Sequence, residues 1–249
     1  MKALITGASA GIGRDIARVL HAKGIELILV ARREERLAEL RRELGGQGRV
    51  IALDLSQAES CTELHRLVAD ENVDIVINNA GFGVFGPFDE SDLDAELRML
   101  DTNIRALHIL TKLFVRDFKK RGSGYILNVA SSAAFLPGPL MAAYYAGKAY
   151  VLRLTQAIRE ELRRDGSGVY IGALCPGPVN TEFNGTAGVV FSVRGLSSMS
   201  VAKYAVDKMF ERKAVIVPGT VMKVMRVLAR ITPDSLLTRI TYHVQKRKK

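Results

Sequence analysis

The chain has no tryptophan and only two cysteines, Cys61 and Cys175. Two cysteines cannot form a disulfide framework, and their spacing is not that of a metal site, so the sequence predicts no bound metal and fits a reducing compartment. No uninterrupted apolar run approaches the ~18 residues of a membrane-spanning helix. The apolar core of the first residues, Ala3 to Ile5, is too short for a signal peptide. These absences favour a soluble, cytoplasmic protein.

Acidic residues are scarce near the end of the chain. The 249 residues carry a net charge of +10, and the stretch from Lys203 to Lys249 has twelve Lys/Arg against three Asp/Glu. Nearly all of the excess therefore belongs to the tail. The last four residues, Lys246 to Lys249, fit either a solvated terminus or a contact with an anionic surface. Because no aromatic residues are interleaved with this charge, a nucleic-acid partner is not expected.

Short runs of Val, Ile and Leu alternate with longer amphipathic stretches, which is typical of a parallel sheet covered on both faces. The sequence predicts one α/β domain over 1–249, a Rossmann-type doubly wound sheet of seven parallel strands with helices on both faces. The predicted strands are 2–6, 26–31, 50–53, 75–78, 125–130, 169–174 and 214–217. The predicted helices are 12–23, 34–43, 58–69, 92–121, 142–164 and 201–210.

A glycine cluster follows the first predicted strand and opens a helix. Gly7, Gly11 and Gly13 are spaced so that the backbone can approach a pyrophosphate, and the first amides of the helix supply partial positive charge. The spacing differs from the commoner Gly-x-Gly-x-x-Gly pattern. A glycine-rich turn without a ligand is the alternative.

The second predicted strand is followed by Arg32 and Arg33, where a dinucleotide fold that binds NAD carries an acid. Guanidinium groups bind a 2′-phosphate well, so the sequence predicts NADP(H) as cofactor. The alternative is that both arginines only begin a charged helix. Asp54, which ends the third strand, fits either a place beside adenine or a cap near Ser56.

Tyr144 and Lys148 are four residues apart on a predicted helix and therefore share one face. A cation at that distance is expected to lower the pKa of the phenol into a range useful for proton transfer. Ser131 follows the fifth strand, and the carboxyl ends of parallel strands are where such sheets bind ligands. Tyr145 and Ser132 are the neighbouring candidates. Tyr145 is three residues from Lys148 and lies ~60° off its face, and Ser132 is offset by one residue from Ser131.

Several motifs occur together and in order: the glycine turn, Asn78 to Gly81, Asn103, Ser131, Tyr144 with Lys148, and Pro176-Gly177. In this combination the chain resembles the short-chain dehydrogenase/reductase family over nearly its whole length. The stretches 78–88 and 176–183 resemble a branch of carbonyl reductases that act on apolar compounds. The chain departs from the family at Gly147, where a small Ser or Ala is usual.

The resemblance implies hydride transfer between NADP(H) and a carbonyl or secondary alcohol. It implies that Tyr144 is the general acid/base and that Lys148 assists it and bonds the nicotinamide ribose. Ser131 would polarise the carbonyl oxygen, and Asn103 would hold a water that links Lys148 to solvent. Thr181 would reach the nicotinamide carboxamide.

The residues expected at the cofactor come from the strand ends and the turns after them. They are Gly7, Ser9, Ala10, Gly11, Ile12, Gly13, Arg32, Arg33, Asp54, Leu55, Asn79, Ala80, Gly81, Tyr144, Lys148, Pro176, Gly177, Val179 and Thr181. Residues 182–200 are expected to form a loop over the substrate. The expected walls of an apolar substrate pocket are Phe82, Phe135, Leu136, Met141 and Phe183.

Residues 220–249 are predicted to form a basic, amphipathic helical tail. Its apolar stripe, which includes Met222, Met225 and Leu228, favours packing on its own domain or on a second subunit of a homodimer or homotetramer over contact with a membrane surface. Two other functions stay open. One is an NADP(H)-binding regulator without turnover, and the other is a peripheral membrane reductase of 3-oxoacyl or lipid ketones.

Overall fold

The fold is built around one parallel sheet. The computed structural model describes residues 1–186 and 195–246. The strands are β1 (Lys2–Thr6), β2 (Glu26–Ala31), β3 (Arg49–Ala52), β4 (Ile75–Asn78), β5 (Gly124–Val129), β6 (Val169–Leu174), β7 (Val179–Asn180), β8 (Leu196–Ser197) and β9 (Val215–Ile216). The order in the main sheet is β3-β2-β1-β4-β5-β6-β9, and β7 and β8 form a separate pair. The predicted seven-stranded parallel sheet is confirmed.

Helices cover both faces of this sheet. They are α1 (Gly11–Ala22), α2 (Glu34–Glu43), α3 (Ala58–Leu67), α4 (Leu93–Leu100), α5 (Leu107–Arg121), α6 (Ala142–Arg164), α7 (Phe183–Thr186), α8 (Ser198–Phe210), α9 (Thr220–Ile231) and α10 (Asp234–Lys246). Alternate residues of a strand face opposite sides, so Leu29 packs with α1 and α8 while Ile28 packs with α3 and α5. The strands read as continuous apolar runs because both faces are buried.

The helix predicted over 92–121 is interrupted. A π-helical turn, Asp101–Ala106, joins α4 to α5 and buries Asn103 and Ala106. Such turns leave backbone groups without regular helical partners and are frequent at functional sites. The apolar pattern of the sequence does not show a one-residue change of helical pitch, so this interruption was missed.

Two further differences arise from local hydrogen bonds. Helix α8 begins at Ser198, earlier than predicted, because the Ser197 side chain accepts a hydrogen bond from the Ser200 amide at 3.2 Å and caps the helix. The pair of β7 and β8 was not predicted, since each strand has only two residues and therefore no detectable periodicity. In the predicted substrate loop 182–200, residues 187–194 lie outside the described residues.

The order of the strands fixes the place of a binding cleft. After β3 the chain crosses back from that edge of the sheet to β4, which lies on the other side of β1. A crevice forms outside the carboxyl ends of the strands at such a reversal. The glycine turn after β1 and the two asparagines at the end of β4 therefore meet there.

Candidate active site

A cavity of about 690 Å³ opens at this crevice. It runs from the glycine turn, past the ends of β2 and β3, to α6, α9 and α10. Of the residues that the sequence analysis expects at the site, all but three line this cavity. The exceptions are Gly13, Asn103 and Phe135.

The glycine turn is shaped for a close approach to α1. Gly7 and Gly11 have φ of +65° and +53°, which favours glycine. A Cβ at Gly13 would lie 2.3 Å from Nδ2 of Asn79 and 2.5 Å from the Gly7 carbonyl oxygen. Gly13 therefore does not face the cavity, and its lack of a side chain allows the turn to pack on the end of β4.

The start of α1 offers free backbone donors to the cavity. Its first turn contains no acidic residue, and Ala10 at the cap position has no side chain that accepts from the helix amides. Those amides need hydrogen-bond acceptors, and a bound anion supplies them. The turn therefore fits the pyrophosphate of a dinucleotide.

Asn78 and Asn79 tie the sheet to this turn. Nδ2 of Asn79 donates to the carbonyl oxygens of Thr6 at 3.1 Å and Gly7 at 3.2 Å. Nδ2 of Asn78 donates to Oδ1 of Asn128 at 2.9 Å and Oγ1 of Thr111 at 3.1 Å. Neighbouring elements thus accept the hydrogen bonds of both side-chain amide groups, whereas Oδ1 of Asn78 has no partner among the described residues.

Two arginines lie at the far end of the cavity. Arg32 and Arg33 both line it. Arg33 donates to Oγ of Ser9 at 3.2 Å and to a carboxylate oxygen of Glu182 at 3.0 Å. Arg36 on α2 also binds Glu182. The guanidinium groups of Arg36 and Arg33 hold the pKa of Glu182 below its usual range, and Arg36 has the larger effect.

The Asp54 side chain stabilises the turn that follows β3, at this end of the cavity. Its Oδ1 accepts from the Ser56 amide at 3.0 Å, and Asp54 and Leu55 both line the cavity. The cap position of α3 belongs to Gln57 instead. Asp54 thus forms a local turn with Ser56 rather than a helix cap, and its predicted place beside adenine stays a prediction.

Ser131, Tyr144 and Lys148 form one wall. Nζ of Lys148 lies 5.7 Å from the centre of the Tyr144 ring and donates to the Val129 carbonyl oxygen at 2.9 Å. The Ser131 side chain lies beside Tyr144 in the lining of the cavity. The Tyr145 hydroxyl instead accepts from Nε2 of Gln245 at 2.5 Å. Tyr144 is thus the tyrosine that shares this wall with Ser131 and Lys148.

Burial controls the pKa values of this wall. It raises the pKa of Tyr144 above its usual range, and the nearby Ser131 hydroxyl partly opposes this. Burial also lowers the pKa of Lys148 to about 8. The expected lowering of the Tyr144 pKa by Lys148 is not produced by the protein alone, because desolvation disfavours the charged form of both groups.

Asn103 holds the turn after β4. Its Oδ1 accepts from the Phe82 amide at 3.0 Å, and its Nδ2 donates to the Phe82 carbonyl oxygen at 2.8 Å. A Cβ at Gly81 would lie 2.7 Å from Oδ1 of Asn103, so glycine is required there. The side chain of Asn103 thus positions Phe82, which lines the cavity, and its predicted role in holding a water stays a prediction.

The apolar end of the cavity differs from the expectation in two ways. Phe82, Leu136, Met141 and Phe183 line it, whereas Phe135 lies outside the lining, beneath the guanidinium group of Arg226. The sequence prediction also missed a set of side chains from the tail. They are Met222, Met225, Leu228, Ala229, Thr232, Leu237, Ile240, Thr241 and Val244. The amphipathic pattern of 221–231 was visible, but it does not tell which partner covers the apolar side chains.

The depressed pKa of Lys148 has a measurable consequence for stability. Its pKa is about 8 in the folded protein against 10.5 as its ordinary value, so between these pH values the unfolded chain binds more protons. The free energy of unfolding should therefore gain a rising contribution from about pH 8 to about pH 10. Lys148→Met should lack this contribution in urea unfolding without cofactor.

The exposed Lys112 supplies the control, because Lys112→Met should keep the pH dependence of the parent protein. Burial raises the pKa of Cys61 to about 11 and that of Cys175 to about 12, so these thiols also contribute to the pH dependence of stability. The difference between the curves of the two variants is therefore the quantity to compare. Parallel curves for Lys148→Met and the parent would contradict a depressed Lys148 pKa.

Comparison with known proteins identifies the family of this chain. Residues 1–188 match the short chain dehydrogenase family. The chain belongs to this family. A short-chain dehydrogenase from Sphingobium yanoikuyae in complex with NADPH is 30% identical, with a TM-score of 0.81 over 94% of this chain and 97% of that one. The chain thus has the nucleotide-binding fold of this family of oxidoreductases.

Two further solved structures, a short chain dehydrogenase/reductase and an alcohol dehydrogenase, are also similar to this chain. One from Burkholderia phymatum in complex with NAD is 25% identical, with a TM-score of 0.82 over 91% of this chain and 92% of that one. A bulky-bulky ketone specific alcohol dehydrogenase from Comamonas testosteroni is 30% identical, with a TM-score of 0.79 over 92% of this chain and 90% of that one. Both nicotinamide cofactors thus occur among similar structures of the family.

Proposed function

We propose that this chain is an NADP(H)-dependent oxidoreductase that interconverts an apolar carbonyl compound and its secondary alcohol. The observation that carries the proposal is the position of Ser131, Tyr144 and Lys148 on one wall of a cavity whose other end holds the glycine turn and two arginines. One cavity thus offers an anion site for the cofactor and a proton donor for the substrate.

The protein's own residues supply the proton and orient the carbonyl group. When bound, NADP(H) supplies the hydride. As charge develops on the substrate oxygen, the Ser131 hydroxyl donates a hydrogen bond to it and the Tyr144 hydroxyl gives up its proton to it. The phenolate left behind is stabilised by the Lys148 ammonium, which is largely protonated below its pKa of about 8.

The choice of an apolar substrate comes from the walls near Tyr144. The Tyr144 ring lies 5.5 Å from that of Phe183, and both rings pack beside Met141. Apolar side chains of α9 and α10 continue this lining. Such walls favour a hydrophobic ketone over a sugar or another polar carbonyl compound. The ketone named for the similar alcohol dehydrogenase from Comamonas testosteroni supports this class.

A substrate panel tests the proposal. The purified protein is assayed with apolar ketones, aldehydes, 3-oxoacyl thioesters and sugars by NADPH absorbance, with NADH in parallel. We expect turnover of apolar ketones, with higher kcat/KM for NADPH than for NADH. Binding of NADPH without turnover of any compound would favour a regulatory protein instead.

Glu182 should weaken the binding of NADPH. Its carboxylate lies at 3.0 Å from Arg33, where it competes with a 2′-phosphate for the guanidinium group. The pair is half-exposed, so its free energy is at most about 1 kcal/mol. Glu182→Gln should therefore lower the KM for NADPH by about two- to fivefold and leave the KM for NADH unchanged.

The exposed Glu34 on α2 provides a control with the same change of charge. Glu34→Gln should leave both KM values within about twofold of the parent, because long-range effects of exposed charges are screened. An increase of the KM for NADPH in Glu182→Gln would show that this carboxylate supports cofactor binding.

A further inference from the structure

The tail leaves a large apolar surface uncovered. We call this surface the tail face. It consists of Val221, Val224, Val227, Leu228 and Ile231 of α9 and Leu236, Ile240 and Val244 of α10. These side chains are 47% to 74% exposed and make up eight of the fifteen large exposed hydrophobics in the part of the chain that the structure describes. Exposed apolar surface concentrated in this way marks an interaction site.

Helix α10 buries polar side chains and exposes apolar ones, unlike a helix that packs only on its own domain. Its buried positions are Leu237, Thr241 and Gln245, two of which are polar. Leu236 and Ile240, by contrast, are each 50% exposed. A helix whose environment is protein on one side and water on the other carries its apolar residues inward. The outward apolar side chains of α10 therefore indicate an apolar environment on the outside.

The tail face is continuous with the cavity. Leu228, Ile240 and Val244 line the cavity and are also about half-exposed. An apolar molecule that arrives at the tail face can thus reach the walls near Tyr144 past apolar side chains. This continuity connects the surface to the site.

The basic charge of the tail indicates which kind of partner covers the tail face. Between Thr220 and Lys246 the sequence has five Lys/Arg and a single acid, Asp234, and residues 247–249 add three more basic residues. At ~100° per residue, Lys223 and Arg230 fall within ~60° of Val227, at the edge of the tail face. A symmetric contact with a second copy would bring these like charges together, whereas anionic lipid headgroups complement them.

We propose that α9 and α10 dock on an anionic lipid surface through the tail face, with basic residues at its edge binding the headgroups, and that apolar substrate enters the cavity from that surface. Apolar residues on one face and basic residues beside it are typical of helices that lie in the interface of a bilayer. The entry of substrate rests on the proposed function, and the docking does not. No helix of the described residues is long and apolar enough to cross a bilayer.

Vesicle co-sedimentation of the full chain tests the docking. The protein is mixed with vesicles of phosphatidylcholine alone or of equal parts phosphatidylcholine and phosphatidylglycerol, without cofactor or substrate. We expect binding only to the anionic vesicles, and weaker binding at high salt because salt screens the headgroups. Absence of binding, or equal binding to both compositions, would overturn the proposal.

The apolar contribution is tested with Val224→Ser combined with Ile231→Ser. Neither side chain lines the cavity. Binding to anionic vesicles should fall at least tenfold, because two buried aliphatic contacts with lipid are lost. The matched control is Leu93→Ser with Leu97→Ser, which removes exposed apolar side chains of α4 and should bind like the parent. Thermal unfolding verifies that both pairs fold.

The charged contribution is tested with Lys223→Gln combined with Arg230→Gln. Each basic residue near a lipid surface contributes about fivefold in affinity, so the pair should weaken binding about 25-fold. The matched control, Lys112→Gln with Lys120→Gln, makes the same charge change on α5 and should have a much smaller effect. Equal loss in both pairs would show a response to net charge rather than to this surface.

Sedimentation velocity decides between lipid and a second copy. If the tail face mediates self-association, the Val224→Ser and Ile231→Ser pair will dissociate an oligomer and leave vesicle binding unchanged, which overturns the proposal. Because docking is measured without turnover, failure of the proposed function would not affect this result. Ketone turnover without vesicle binding would overturn the docking alone.

Discussion

Replacing Tyr144 with phenylalanine is expected to lower kcat for an apolar ketone by about 10²- to 10⁴-fold, the usual contribution of a positioned general acid. The ring would remain packed 5.5 Å from Phe183 and 6.1 Å from Tyr145, so the fold and the cavity should be preserved. Only the proton that the substrate oxygen receives would be lost. Steady-state kinetics and NADPH titration by fluorescence measure the two effects, and the dissociation constant of NADPH should stay within about twofold.

Tyr145→Phe is the matched control for this prediction. Tyr145 is adjacent, lines the same cavity and loses the same hydroxyl group, but that hydroxyl bonds Gln245 rather than Ser131. Its kcat should stay within a few-fold of the parent. Near-unchanged turnover in Tyr144→Phe, with NADPH still bound, would contradict the proposed proton transfer.

Replacing both Arg32 and Arg33 with glutamine is expected to raise the KM for NADPH about 100-fold and to leave kcat/KM with NADH nearly unchanged. Each charge-assisted hydrogen bond to a phosphate contributes about 1.5 to 3 kcal/mol, so the loss of two at the lower value corresponds to about 100-fold. NADH has no 2′-phosphate and therefore does not form these bonds. Because Arg33 also binds Ser9 and Glu182, the single variant Arg32→Gln separates phosphate binding from these contacts. Arg32→Gln should show about half of the loss in NADPH binding free energy that the double variant shows.

Arg36→Gln provides the control for the two arginines. Arg36 also pairs with Glu182, yet it does not line the cavity. The KM of Arg36→Gln for NADPH should therefore differ little from that of the parent protein. Equal catalytic efficiency of the parent protein with NADPH and NADH would contradict the assignment of the 2′-phosphate to Arg32 and Arg33.

Much of the fold follows from local sequence. A strand buried on both faces must be apolar throughout, so runs such as 26–31 and 169–174 identify strands directly. The residues after such runs then lie at the carboxyl edge of the sheet, which explains why Gly7, Asn79 and Ser131 all line the cavity, as the sequence predicts. Four of the seven strands of the main sheet have the predicted bounds, and the other three differ by one residue at each end, because pairing partners decide the last hydrogen bond.

The features that the sequence did not predict depend on contacts between distant segments. Glu182 pairs with Arg33 across 149 positions of chain. The lining of the cavity by α9 and α10 depends on where the tail folds back. The burial that raises the Tyr144 pKa and lowers that of Lys148 is also a property of the assembled site.

The sequence by itself determined the sheet, the strand ends that carry the site and the residue types available for chemistry, because periodicity and glycine spacing act over a few neighbouring residues. The tertiary structure decided which of these side chains face one cavity, what solvent they lose and which apolar side of the tail stays uncovered. Desolvation and surface exposure arise only when segments far apart in the chain are packed together.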